Sequence, residues 1–396
     1  MQVLDRRKAL QIPPIWRLGF RPFFLGGSLF ALLAIPLWIA ALNGLLGNWQ
    51  PAGGWLAWHR HELLFGFGAA IIAGFLLTAV QNWTGQPGLS GKPLAALAGL
   101  WLAARLGWLF NLPLPMLLPL EAAFLFAVAA LMGQQVWRVR QKNNYPIVGV
   151  LLLLASVNCL LLFGLATGDD GLQRQAAYAG IWLVGALMGL IGGRVIPFFT
   201  QRGLRRVQGV KPWVWLDKSL LACGLLLAVL FATGLGLQPS LWLAVPLAAF
   251  GIGHLLRLLR WYDRGIWQVD LLWSLHLAIA WLAIAALGLA LWHLGLLSSP
   301  SPALHALTVG AMAGLILAMI ARVSLGHTGR DLVAPKAMAW AFALLNLGSV
   351  ARVFLPSVWP LYSLWLAAAC WAGAFGLFAW HYAPMLLSAR TDGHPG

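Results

Sequence analysis

Apolar residues run through this chain in long blocks that polar residues only punctuate. Twelve blocks are long enough to span a bilayer as helices, at about 20 mostly apolar residues each. They cover residues 23–46, 62–83, 93–110, 113–136, 147–167, 177–199, 214–235, 240–258, 269–296, 303–323, 335–355 and 361–386. No alternating pattern of comparable length competes with them, so the expected fold is all-α, a polytopic membrane protein of twelve transmembrane helices. The first block is too long for a cleavable signal, and no Ala-x-Ala site follows it.

Composition agrees. Of 396 residues, 61% are hydrophobic and 9% charged, and the mean hydropathy is +0.81. Such a chain lacks the polar surface that a soluble domain needs. The net charge of +16 raises the question of nucleic acid, but the placement of the charges answers it. With the amino terminus in the cytoplasm, every Lys and Arg except Arg60, Arg105, Arg174 and Arg352 falls on the inner side. That is the positive-inside bias, a dispersed skirt and not a groove-matched patch, so no nucleic-acid partner is expected. It places both termini in the cytoplasm. Trp49, Trp55, Trp58, Trp83, Trp213, Trp261 and Trp359 are expected in an interfacial belt. Cys159, Cys223 and Cys370 lie in separate spans without C-x-x-C spacing, which predicts neither disulfide nor zinc site.

Recurring motifs order the spans. Arg194-Val195 to Leu204 and Arg322-Val323 to Leu332 share R-V-x4-T-x-R-x-L. Ala104-Arg105 recurs as Ala351-Arg352, and Ser28-Leu29 as Ser274-Leu275. These pairs suggest three tandem units of four helices within one transmembrane domain, about 1–140, 141–265 and 266–396. The haem-copper oxidase core subunit is similar in that architecture, although this chain lacks the histidine pair those oxidases carry on one late helix.

Eight of the nine histidines lie in or at the ends of spans. His59, His61, His293 and His305 fall near the outer face, and His254, His276, His327 and His381 toward the inner one. An imidazole in lipid needs a partner, and it suits haem iron and copper alike. His305 and His327 are about 33 Å apart along one helix at 1.5 Å per residue, so no single mononuclear site uses both. His305, Met312 and Met319 follow one helix face, a stripe that core packing explains as well as ligation does. In Trp58-His59-Arg60-His61-Glu62, residues two apart diverge by about 200° on a helix. Only one of His59 and His61 then faces a given ion unless His59 precedes the helix. Glu62 is placed to accept the free ring N–H of a ligating imidazole. His276 and His254 stand deep in apolar sequence, with a carbonyl hydrogen bond as the alternative to ligation. The metal candidates are therefore His59, His61, His254, His276, His305 and His327. Arg105 and Glu121 flank the Pro113 turn almost symmetrically and are expected to form an ion pair. Gly185, Gly189 and Gly193 offer a smooth face for helix packing.

Four separated segments resemble the NnrS family: Phe20-Arg21-Pro22-Phe23-Phe24; Trp58-His59-Arg60-His61-Glu62-Leu63-Leu64-Phe65-Gly66; the stretch from Gly74 to Gly85; and His305-Ala306-Leu307-Thr308-Val309-Gly310 through Arg322 and His327 to Arg330. The resemblance implies a bacterial inner-membrane protein carrying haem and copper, linked to denitrification and to nitric oxide tolerance. The residues standing in matching motifs are His59, His61, Glu62, His276, His305, Arg322 and His327, with His254 added. Of these, His276, His305, His327 and Arg322 are candidates for cofactor binding. Cys-x-x-Cys-His is absent, so any haem is non-covalent and b-type. The functional readings are nitric oxide capture or conversion at haem and copper, a non-enzymatic protector or sensor, and a transporter of metal, haem or a small solute. The electron donor is not specified by the sequence.

Overall fold

A computed structural model describes residues 6–395, and among them it contains helices and no strand. Backbone groups in lipid must be satisfied within their own segment, which is why apolar blocks of this length become helices. The twelve long helices are α1 (Phe20–Leu42), α2 (Gly54–Thr84), α3 (Gly91–Leu109), α4 (Leu114–Arg138), α5 (Tyr145–Thr167), α6 (Asp170–Gly203), α7 (Val214–Ala232), α8 (Leu241–Trp261), α9 (Asp270–His293), α10 (Ser301–His327), α11 (Ala337–Phe354) and α12 (Pro360–Leu387). Eleven are long and apolar enough to cross a membrane, and α3, which carries Lys92 and Arg105, is the exception. The protein is thus an all-helical, multi-pass membrane protein.

Helix α2 begins eight residues before the expected span, at Gly54, so His59 and His61 are both helical. Two helices widen midway. Glu62–Gly68 in α2 and Ala306–Ala313 in α10 are π-helical, and each widened segment starts directly after a histidine of interest, His61 or His305. Such segments leave carbonyls turned out of the regular ladder and recur at functional sites. In α2 the Gly66 carbonyl, which the Ala69 N–H also reaches, accepts from Trp101 Nε1 at 2.9 Å.

The chain forms two compact units. The first comprises residues 1–177, 320–333 and 375–396. In it α1 packs on α2, α2 on α4, and α4 on both α3 and α5. Its apolar core includes Trp55, Trp58, Trp108, Leu117 and Leu162. The second comprises residues 178–319 and 334–374, where α8 packs on α7 and α9, and the widened part of α10 packs on α9 and α11. The interfacial tryptophan belt needs correction. Trp49, Trp213 and Trp359 are exposed, but Trp55, Trp58 and Trp261 are buried. Trp55 and Trp58 meet edge to face at 5.3 Å, a geometry that rewards burial of both rings.

Candidate functional site

The most concentrated chemistry lies inside the first unit. His61, on the last α-helical turn before the widened segment, is fully buried, as is Glu62 beside it. His61 Nδ1 is 2.9 Å from Glu62 Oε1. A carboxylate only accepts, so Nδ1 carries the proton. The other ring nitrogen, Nε2, lies 2.9 Å from Asn158 Oδ1 of α5 and 3.7 Å from Glu121 Oε2 of α4. Arg105 of α3 reaches both carboxylates, with Nε 3.1 Å from Glu62 Oε2 and Nη2 in contact with Glu121 Oε1. The expected Arg105–Glu121 pair is present, and Glu62 joins it. Trp108 covers the imidazole at 4.6 Å between ring centroids.

His61, Glu62 and Glu121 each place one potential ligand atom within 4.8 Å of the others, all buried. One imidazole and two carboxylates suit a borderline divalent ion such as copper. Two carboxylates and one guanidinium leave a single negative charge, so the charge of an entering cation is partly offset in a medium where an uncompensated one is expensive. The donor chemistry therefore fits a small cation. Asn158 was not among the residues singled out from the sequence. Its signal was present: a lone amide inside Leu154-Ala155-Ser156-Val157-Asn158-Cys159-Leu160 requires a buried partner.

His59 takes no part in this cluster. Its ring stacks on Trp38 at 4.5 Å and an interplanar angle of 7°, the divergence that two-residue spacing on a helix imposes. On the same surface Arg60 pairs with Asp170.

The imidazoles of the second unit differ in what they leave available. His276 is buried and donates Nδ1–H to the Leu272 carbonyl at 2.9 Å, one turn back on α9. This fixes the tautomer with the lone pair on Nε2. That Nε2 makes no well-directed hydrogen bond, with the Trp261 backbone nearby. His254 is fully buried, has no hydrogen-bond partner at either ring nitrogen and lies 4.6 Å from the Phe250 ring. Its edge rests on Gly189 of α6, where an added Cβ would stand 3.1 Å from Cε1. The Gly189 carbonyl accepts from Arg257 Nη1 at 2.7 Å. The glycine face of α6 thus admits an imidazole and a guanidinium as well as packing closely.

His305 has both nitrogens engaged. Nδ1 donates to the Ser301 carbonyl at 2.8 Å, and Nε2 accepts from Arg352 Nη2 at 3.1 Å. His293 accepts at Nδ1 from the Ser240 N–H at 3.1 Å, which puts its proton on Nε2 and leaves no lone pair there.

A third grouping joins three of the sequence motifs at one end of the first unit. The Phe20 N–H donates to Thr78 Oγ1 at 2.8 Å, and the Phe20 ring lies 5.6 Å from that of His327. Arg21, fully buried, donates to the Leu386 and Ser388 carbonyls at 2.7 Å, while Arg390 donates to the His327 carbonyl at 3.0 Å. His327 is half-buried beneath this tail, and Arg322 is buried on the same helix.

Six histidines named from sequence thus occupy separate surroundings. Only His61 shares a cluster with other potential ligands among the described residues. The family model described as NnrS protein matches residues 14–390, nearly the whole chain. No curated protein matches it.

Proposed function

The chain belongs to the NnrS family, and from that premise we propose that it is a haem- and copper-carrying protein of the bacterial inner membrane that acts in the nitric oxide response of denitrification. One observation carries the reading: the buried cluster of His61, Glu62 and Glu121 on α2 and α4, groups that are costly to place within spans. Copper would be held by His61 through Nε2 with Glu121 beside it. Glu62 holds Nδ1–H and orients the ring, and Arg105 ties both carboxylates in place. Haem would take His276, whose Nδ1 is anchored on Leu272 and whose Nε2, near the Trp261 backbone, makes no well-directed hydrogen bond. When bound, these groups supply nitric oxide binding and one-electron chemistry. A small apolar gas partitions into lipid, so a site buried in spanning helices is reached from the bilayer.

A second reading is transport of metal, haem or a small solute, favoured by the buried Arg105–Glu121 pair, since intramembrane ion pairs mark ion pathways. Metal analysis and absorption spectra of the purified protein and of His61→Ala, His276→Ala, His305→Ala and His327→Ala separate the two. Under the proposal, His61→Ala loses copper and His276→Ala loses the Soret band. A wild-type protein with neither cofactor supports transport, and four variants with wild-type content overturn the site assignment. A nitrosyl spectrum without turnover indicates a sensor or protector, whereas nitric oxide consumption with a reductant indicates an enzyme.

A further inference from the structure

A cavity of about 370 Å³ opens in the second unit where α6 and α8 end and α7 begins. Its lining contains four basic residues, Arg194, Lys211, Arg257 and Arg260, against one acid, Asp217. Two of the guanidinium groups are held in place. Arg257, only 2% exposed, donates to the Gly189 carbonyl and pairs with Asp217, and its Nε is left buried without a partner. Arg260 lies over the Trp213 ring at 3.8 Å and donates to the Lys211 carbonyl at 2.9 Å. This stacking holds the guanidinium in one orientation at modest entropic cost. Four cations and one anion leave a surplus of three positive charges around a space that no side chain of the chain fills.

The rest of the lining is largely apolar and open to the outside. Phe198, Val210 and Trp213, which line the cavity, are 48%, 39% and 40% exposed, at the ends of spanning helices where the hydrocarbon meets water. A free inorganic anion has no use for such a lining. An amphiphile does, with its anionic head among the guanidinium groups and its chains along the apolar residues outside.

We propose that this cavity binds the phosphate headgroup of an anionic phospholipid. Basic pockets between spanning helices serve anionic headgroups in this way, and Arg matches phosphate geometry through its planar fork. The site shares no residue with the copper cluster, and it meets the haem assignment only at Trp261, whose backbone lies near His276 Nε2.

The test titrates the purified protein in detergent with dioleoylphosphatidylglycerol or dioleoylphosphatidylcholine and follows the thermal midpoint. The wild type shows a saturable rise with the glycerol lipid and none with the choline lipid. Lys211→Gln, at an exposed position that does not endanger folding, raises the half-saturating concentration about fivefold, and Lys211→Gln with Arg260→Gln raises it about thirtyfold, from the contribution of each charge near the surface. Arg138→Gln with Arg140→Gln removes the same charge from the end of α4 and leaves it unchanged. Equal losses in the pocket and control variants overturn the proposal, because the attraction is then non-specific. Inorganic phosphate reproducing the full shift also overturns it, in favour of a free oxyanion. Loss of the Soret band from the pocket variants with lipid response intact assigns the cavity to porphyrin carboxylates and overturns it likewise.

Discussion

Gly66 lies so close to Arg105 that a Cβ added to the glycine would stand 2.6 Å from Nη1. The guanidinium that pairs with both Glu62 and Glu121 rests on bare backbone in the widened part of α2. A matching construction occurs in the second unit. Gly310 follows His305 by the same five positions as Gly66 follows His61, within a π-helical segment, and an added Cβ there would stand 2.5 Å from Trp281 Cγ. Arg352, whose sequence context repeats that of Arg105, reaches the His305 ring. A histidine, a widened helix, a glycine and an arginine thus stand near one another at both places, although Gly66 meets Arg105 and Gly310 meets Trp281.

Gly66→Ala should push Arg105 off its two carboxylates, since neither the helix backbone nor the ion pair yields cheaply. Overpacking of this kind costs about 1–3 kcal/mol. Copper content should fall with stability, because Glu62 and Glu121 lose their common counter-charge. Gly310→Ala should cost a similar amount through Trp281, which is tethered to Asn346 at 2.9 Å, and leave copper content unchanged. Thermal unfolding and metal analysis of the two variants check the contrast, and equal copper loss in both refutes it.

The helices were legible because lipid allows an apolar block no other regular form. The Arg105–Glu121 pair was legible from equal depth on two antiparallel helices joined by a short turn. Harder to see was that His61, Glu62 and Asn158 complete the same cluster, because this depends on the rotation of α2 and α5 about their axes. The widened segments left no distinctive trace: Glu62–Gly68 and Ala306–Ala313 read in sequence as continuations of the helices that hold them. Trp55, Trp58 and Trp261 were misplaced for a related reason, since tryptophan near a span end packs inward as readily as it anchors outward.

Arg105→Met leaves two buried carboxylates without their counter-charge. Breaking a buried pair in this way costs about 3–5 kcal/mol. Adding Glu121→Gln should recover only part of the loss, because Glu62, fully buried, still faces the space Arg105 occupied. Unfolding in detergent of the single and double variants measures the coupling. Full recovery in the double variant would show that Glu62 does not depend on Arg105.

Gly189 and Gly185 sit one turn apart on α6 and should respond oppositely to alanine. At Gly189 the new Cβ meets His254 Nε2 at 3.2 Å and Cε1 at 3.1 Å, whereas at Gly185 its nearest neighbour is Leu282 Cδ1 at 3.7 Å. Gly189→Ala should destabilise by about 1–2 kcal/mol, and Gly185→Ala should be neutral or stabilise by up to about 1 kcal/mol through helix propensity. Paired thermal melts decide it. A stable Gly189→Ala would mean that His254 moves freely.

The connection after α8 carries a pH-dependent contact outside the spans. Hydrogen bonds from the Arg206 guanidinium, at 2.8 Å to both carboxylate oxygens, and from the Gly265 N–H hold Asp263 below the usual carboxylate range. A carboxyl depressed on folding contributes stability above its unfolded value of about 3.9, and that contribution is lost as pH falls through the folded value. The wild type should therefore exceed Asp263→Asn in melting temperature at pH 5 to 7, with the gap closing in more acidic buffer. Salt should shrink it throughout, since the pair is exposed. A gap that widens on acidification would contradict the assignment.

His59 and Glu62 provide the sharpest division within one motif. His59 stacks on Trp38, away from the cluster, whereas Glu62 accepts Nδ1–H of His61 at 2.9 Å. Removing a group that orients a ligating imidazole weakens metal binding about 10–100-fold. Glu62→Gln should thus lower copper affinity by that order, because the amide retains the size of the side chain and keeps an acceptor oxygen but loses the charge that raises ring basicity. His59→Ala should keep wild-type copper affinity and lose stability through the ring contact with Trp38. Copper titration of both variants in detergent supplies the comparison. Copper loss in His59→Ala with retention in Glu62→Gln would transfer the site to the Trp38 side of α2.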